Sequence, residues 1–163
     1  MYSNWYNSFM KTTEAKLTRK LRDRIIEYYG KRLVSLVIFG SLARGKAGPE
    51  SDIDILIIAE GLHKRKMKRI DEFIDNIEDK LGDVSRYLSP VIKAPEEASL
   101  GSPLFLDMVY DSLILYDKDG FFMRILDRLR RRLDELGSKR VFRGNRWYWI
   151  LKPDYKPGDI IEL

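Results

Sequence analysis

The stretch Leu33–Ile58, LVSLVIFGSLARGKAGPESDIDILII, decides the fold. Two apolar runs in it, Val34–Phe39 and Ile53–Ile58, are rich in Val and Ile and about strand length, and Gly45, Gly48, Pro49 and Ser51 between them are turn residues. Side chains alternate faces along a strand, so Asp52 and Asp54 point to one side. Two ionised carboxylates held side by side repel unless a cation sits between them, and oxygen-only ligands suit Mg²⁺. Gly40 and Ser41, at the end of the first run, offer backbone N–H groups and a hydroxyl to a phosphate. The residues predict a Mg-nucleotide site, with the loop cradling phosphates and the two aspartates holding the metal. The bland alternative is a Gly-Ser turn followed by a surface Asp pair that caps a strand. An Asp within a run of Ile and Leu, unfavourable without a partner, argues against it.

Ser41 is the first choice for contacting a triphosphate. Arg44 and Lys46 are the nearest cations, and either neutralise it or occupy solvated loop positions. Ser51 is expected to satisfy backbone groups at the turn.

At 163 residues the chain suffices for one compact domain with a substantial core. It has no cysteine, which excludes disulfides, thiolate metal sites and cysteine nucleophiles. The single histidine, His63, lies in the charged run HKRKMKR and is expected to be solvated, so a His-dependent triad is excluded. No apolar run approaches the roughly 18 residues of a membrane span, and the first residues lack the plan of a secretory leader. A cytoplasmic protein without membrane contact is expected. The chain has no glutamine and a third of its residues are charged, a bias expected of proteins from hot environments. Charge is uneven: Lys118–Lys152 holds eleven Lys or Arg against four Asp or Glu, more than the whole net charge of +5.

In chain order, Leu17, Leu21, Ile25 and Tyr28 or Tyr29 predict a helix ended by Gly30. Upstream, Trp5, Tyr6 and Phe9 form an aromatic knot that either docks on the core or faces a partner. Ile70, Phe73, Ile74, Ile77 and Leu81 predict a helix from about Leu62 to Leu81, headed by a basic run, Lys64–Arg69, read as a solvated face. Tyr87–Ile92 reads as a third strand, and Pro90 places it on an edge or at a bulge. A short helix begins at Pro95, an amphipathic stretch runs from Leu104 to Tyr110, and Leu113–Tyr116 reads as another short strand. Asp117 or Asp119 caps a helix from Gly120 to Leu136, and Arg143-Gly144-Asn145-Arg146 predicts a hairpin turn between aromatic-rich strands. The organisation expected is a helical segment over 1–30, a nucleotide-binding unit over 31–117, and a basic helix and aromatic hairpin over 118–163 packed on the same domain.

Gly-Ser, ten residues, then Asp-any-Asp: with this spacing between two strands, the chain resembles the minimal nucleotidyltransferases, small members of the polymerase-β-like superfamily. The resemblance spans roughly Val34 to Tyr116 and is tight over Gly40–Asp54. It implies an α/β (α+β) fold, a small mixed sheet with helices packed on it. It also implies catalytic and metal-holding roles for Asp52 and Asp54, and nucleotide contacts from Gly40, Ser41 and Arg44. The activity implied is transfer of a nucleoside monophosphate to an acceptor hydroxyl, with AMP from Mg-ATP the first choice over other nucleoside triphosphates. Stand-alone members resemble antitoxins that adenylylate a helical HEPN-type partner protein, which makes such a partner the first acceptor to consider.

Members of that superfamily normally use three acidic residues and two metal ions. The third acid would fall in YLSPVI, where Ser89 and Pro90 stand. Asp107 is the obvious substitute if its stretch is a strand, whereas in a helix it lies on the polar side; Asp83 and Glu97 stand behind it. Two other functions stay open at this point. One is a catalytically degenerate domain that binds nucleotide or a partner. The other is an RNA-binding module in which Trp147, Tyr148 and Trp149 stack on bases rather than cover the core.

Overall fold

Residues 12–48, 50–82 and 88–163 are described in a computed structural model. Trp5, Tyr6, Phe9, Asp83 and Tyr87 lie outside the described residues.

Leu17, Leu21, Ile25 and Tyr29 recur every four residues and form one buried stripe on helix α1 (Thr12–Tyr29). A 3-10 turn with Gly30 at φ +52° ends the helix and feeds strand β1 (Leu33–Phe39). One helical turn, α2 (Gly40–Ala43), and a loop lead to β2 (Ile53–Ala59), antiparallel to β1. Helix α3 (Lys66–Asn76) crosses over to β3 (Leu88–Lys93), which pairs parallel to β2. Two short helices, α4 (Pro95–Ser99) and α5 (Leu104–Met108), precede β4 (Leu113–Asp117), antiparallel to β1. The sheet order is β3-β2-β1-β4, a mixed sheet with the two most apolar strands at its centre. Pro90 sits on the edge strand, the place in a sheet that tolerates a residue without an N–H.

β2 explains the layering. Ile53, Ile55 and Ile57 face one way, into a core shared with Leu21 and Ile25 of α1 and Phe73 of α3. Leu56 and Ile58 face the other way, against Phe105 and Met108 of α5 and against Phe122 and Leu126 of helix α6 (Phe121–Glu135). Because both faces are covered, the strand reads as an unbroken apolar run instead of an alternating one. Each such side chain contributes roughly 1.5–3 kcal/mol by leaving water. After α6, β5 (Lys139–Arg143) and β6 (Arg146–Ile150) form a separate antiparallel hairpin, with Gly144 in the left-handed region at its turn. The expected mixed α/β class is what the chain adopts. Among the described residues no helix is long and apolar enough to cross a membrane.

Three details depart from the sequence reading or sharpen it. The helix expected over 62–81 is regular only over Lys66–Asn76. His63 holds the segment before it as a turn: its Nδ1 accepts the Arg65 N–H at 3.0 Å, and its carbonyl accepts Arg69 Nε at 2.6 Å. Arg69, read as part of a solvated face, is 4% exposed. Its guanidinium donates to both oxygens of Glu97 at 2.6 and 3.1 Å and to the carbonyl of Ile92, tying α3 to β3 and α4. Asp117 is the acid that caps α6, accepting the N–H groups of Phe122 and Met123 and a hydrogen bond from buried Ser35.

Candidate active site

Phe39, the last residue of β1, pairs with Asp54 on β2, and Asp54 in turn pairs with Ser89 on β3. That register brings Gly40 against the Asp54 side chain. A Cβ built on Gly40 would lie 2.0 Å from Asp54 Oδ2, and Gly40 has φ +70°. No other residue type satisfies both demands, so the Gly of the Gly-Ser pair is fixed by the carboxylate it abuts. Past Gly40 the chain closes a tight turn, with Arg44 N–H donating to the Gly40 carbonyl at 3.2 Å and Lys46 N–H to the Ser41 carbonyl at 2.9 Å. Ser51 Oγ accepts the Gly48 N–H at 2.8 Å, the turn-satisfying part expected of it.

Asp54 is half-buried and Asp52 exposed. Burial, and then the neighbouring Asp52 charge, push the Asp54 carboxyl above the usual range, while a hydrogen bond from the Ser89 side chain and the Arg44 charge pull it back. The two carboxylates therefore repel each other across a rim whose other donors are the Ser89 hydroxyl and the Gly40–Ser41 turn. Hard oxygen donors around uncompensated negative charge are the chemistry of a divalent cation that shares its coordination with phosphate oxygens. The side chains present fit such an ion.

Of the substitutes for the third carboxylate, neither Asp107 nor Glu97 joins the pair. Asp107 is on helix α5, as the alternative reading had it, and its Oδ1 accepts the indole N–H groups of Trp147 at 2.8 Å and Trp149 at 3.0 Å. Glu97 is held by Arg69 and by the Ala94 N–H, and the Arg69 bonds depress its carboxyl to about 2. Among the described residues no three acids or histidines are grouped as a metal site.

A nucleotidyltransferase-domain family model matches residues 18–116, more than half of the chain. The chain belongs to the nucleotidyltransferase family. A Methanocaldococcus jannaschii protein named as a candidate protein adenylyltransferase is 35% identical over 123 residues, which is 72% of this chain and 84% of that protein. Solved structures of looser likeness include a toxin-antitoxin complex with AMP-PNP, at TM-score 0.45, 20% identity and coverage of 78% of this chain and 94% of that one. The structure of a candidate nucleotidyltransferase from Sulfolobus solfataricus is 18% identical, at TM-score 0.40, and covers 68% and 91% of the two chains. The nucleotidyltransferase is thus an enzyme of a nucleotide-using family, as the spacing of its motif implies.

The matched span stops at Tyr116, but the surroundings of the motif loop extend past it. Asp54 shares its strand face with Leu56 and Ile58, the face on which α5, α6 and Trp149 pack. From the hairpin on that side, Trp147 reaches the motif loop: the Arg44 guanidinium carbon lies 4.7 Å from its ring centroid. Trp147 and Trp149 are turned inward onto Asp107, and Tyr148 between them is exposed, which is the covering arrangement expected of alternating aromatics. Sequence reasoning missed the link from hairpin to loop. The only signal available was a tryptophan at an inward-facing hairpin position, which does not say what it faces.

Proposed function

We propose that the protein transfers a nucleoside monophosphate, AMP from Mg-ATP, to a hydroxyl on an acceptor protein. The observation that carries the reading is the abutment of Gly40 on Asp54, which joins the Gly-Ser turn and the aspartate pair in one site. In this reading Asp52 and Asp54 hold Mg²⁺, Gly40 and Ser41 seat the phosphates, and Arg44 offsets their charge. A bound divalent ion would neutralise phosphate charge and steady the leaving pyrophosphate. The protein's part is placement: it sets the α-phosphate before the acceptor oxygen, and the bond to the β-phosphate breaks as the new P–O bond forms. The protein adenylyltransferase name of the archaeal relative supports AMP and a protein acceptor. A helical HEPN-type protein is the acceptor to try first.

Ser89, standing opposite Asp54 in place of an acid, favours a second reading, in which the domain binds nucleotide but turns over slowly or not at all. Labelled ATP, Mg²⁺ and candidate acceptor proteins separate the two. Incorporation that vanishes with chelator is expected of the first. Nucleotide binding without transfer to any acceptor would favour the second.

A further inference from the structure

Two arginines converge on one indole. Arg44 comes from the motif loop, its guanidinium carbon 4.7 Å from the Trp147 ring centroid, and Arg140 comes from β5 at 4.6 Å. Their surroundings differ. Arg140 donates to Asp111 Oδ2 at 2.5 Å and lies 3.7 Å from Asp107 Oδ1, so its charge is answered. Arg44 makes no ion pair and no side-chain hydrogen bond among the described residues, although it is half-buried.

The indole itself is fixed. Its N–H donates to Asp107 at 2.8 Å, and Phe142, its cross-strand partner, lies beside it with ring centroids 6.2 Å apart. A guanidinium laid on an aromatic ring uses its flat face for the contact and leaves its edge N–H donors free. A bidentate ion pair would have taken up two of them. Held in this way, Arg44 has lost much of its rotamer freedom while its hydrogen-bonding capacity towards an anion is intact.

We propose that Trp147 is a positioning residue of the nucleotide site: the C-terminal hairpin, anchored by Asp107, holds its indole against Arg44 so that the guanidinium edge is presented to the triphosphate. The inference rests on the reading of Arg44 as a phosphate contact and adds to it the part that lies outside the family-matched span. It also gives Asp107 a role that is not metal binding. The aromatic face is the operative property, so phenylalanine should serve at position 147 and an aliphatic side chain should not.

The test is calorimetric binding of Mg-ATP and of AMP to the full chain carrying Trp147→Phe, Trp147→Leu, Arg44→Ala or Arg44→Ala with Trp147→Leu, each with a thermal melt. Trp147→Leu is expected to weaken Mg-ATP about tenfold, the usual scale of a partly desolvated cation–π contact, and AMP much less. Trp147→Phe should bind within about twofold of wild type. The double variant should bind no more weakly than Arg44→Ala alone, because Trp147 acts through Arg44. If Arg44→Ala leaves Mg-ATP binding unchanged, the phosphate reading of Arg44 fails. If Arg44→Ala weakens binding but Trp147→Leu does not, or if the two losses add, the positioning role is overturned and the reading of Arg44 stands. Should Trp147→Leu fail to melt cooperatively, Trp147→Met takes its place: it should bind Mg-ATP about tenfold more weakly than Trp147→Phe, and equal affinities would overturn the proposal.

Discussion

Two small charged clusters of the molecule are built on opposite principles. Around Arg69 every charge is answered: the guanidinium is buried, both Glu97 oxygens face it, and the backbone carbonyls of His63 and Ile92 accept from two more of its N–H groups. Around Asp54 charge is left over: two carboxylates adjoin, one hydroxyl and one arginine oppose them in part, and that arginine rests on a ring and not on an acid. The Glu97 carboxyl is accordingly driven down and the Asp54 carboxyl up. Removing one partner of a satisfied buried pair destabilises a fold, whereas frustrated charge stores affinity for something that has yet to bind. The first cluster fastens α3 to the sheet edge; the second is where a metal and a nucleotide would be welcome.

Substitutions should break that contrast in opposite ways. The largest effect is expected for Asp52→Ala and Asp54→Ala, which should each lower nucleotidyl transfer by at least about a hundredfold. Both should leave the melting temperature unchanged or raise it, because a like-charge contact is relieved. Glu97→Gln should do the reverse. Leaving Arg69 buried without its partner should cost about 2–3 kcal/mol in urea unfolding, discounted for the partial exposure of Glu97, with transfer by the folded protein intact.

Gly40→Ala should damage both properties. Its left-handed backbone costs an alanine about 1–2 kcal/mol, and the new methyl group must displace the Asp54 carboxylate. Urea unfolding and Mg-ATP binding measured on one preparation would show the two losses together; an unaffected affinity would mean that the Asp54 position does not matter to the nucleotide.

The smallest effect is in the pH dependence of stability. Glu97 has its carboxyl at about 2 against a reference of 4.5, so its contribution is full above about pH 4.5 and is lost as pH falls towards 2. Asp54 is raised above its reference of 3.8, so the folded state holds its proton more tightly than the unfolded chain does. Its ionisation therefore lowers stability as pH rises through the folded value. Urea midpoints measured from pH 2 to 7 should show a shallower acid-side loss in Glu97→Gln. In Asp54→Asn they should show a gain at neutral pH that fades in acid; equal slopes in all three proteins would contradict the assignment.

What the sequence could show follows the same division. β1 and β2 were legible because strands covered on both faces are apolar throughout, and Pro90 narrowed β3 to an edge or a bulge, of which the sheet order shows the edge. The Gly-Ser turn and the aspartate pair were legible because they lie within 15 residues of one another. Arg69 was misread as solvated because its partner is 28 residues away and nothing local distinguishes a buried arginine from a wet one. Asp107 stayed ambiguous between strand and helix for the same reason, since the indoles that it grips lie 40 and 42 residues further on. Local spacing reports elements and motifs; long-range pairing of charge is what folding adds.

The most direct test of nucleotidyl transfer uses ATP labelled in either the α- or the γ-phosphate, with Mg²⁺ and a HEPN-type or other acceptor protein. The account predicts covalent incorporation of the α label only, abolished in both Asp52→Ala and Asp54→Ala. Incorporation of the γ label, or α-label transfer that survives in Asp54→Ala, would contradict it.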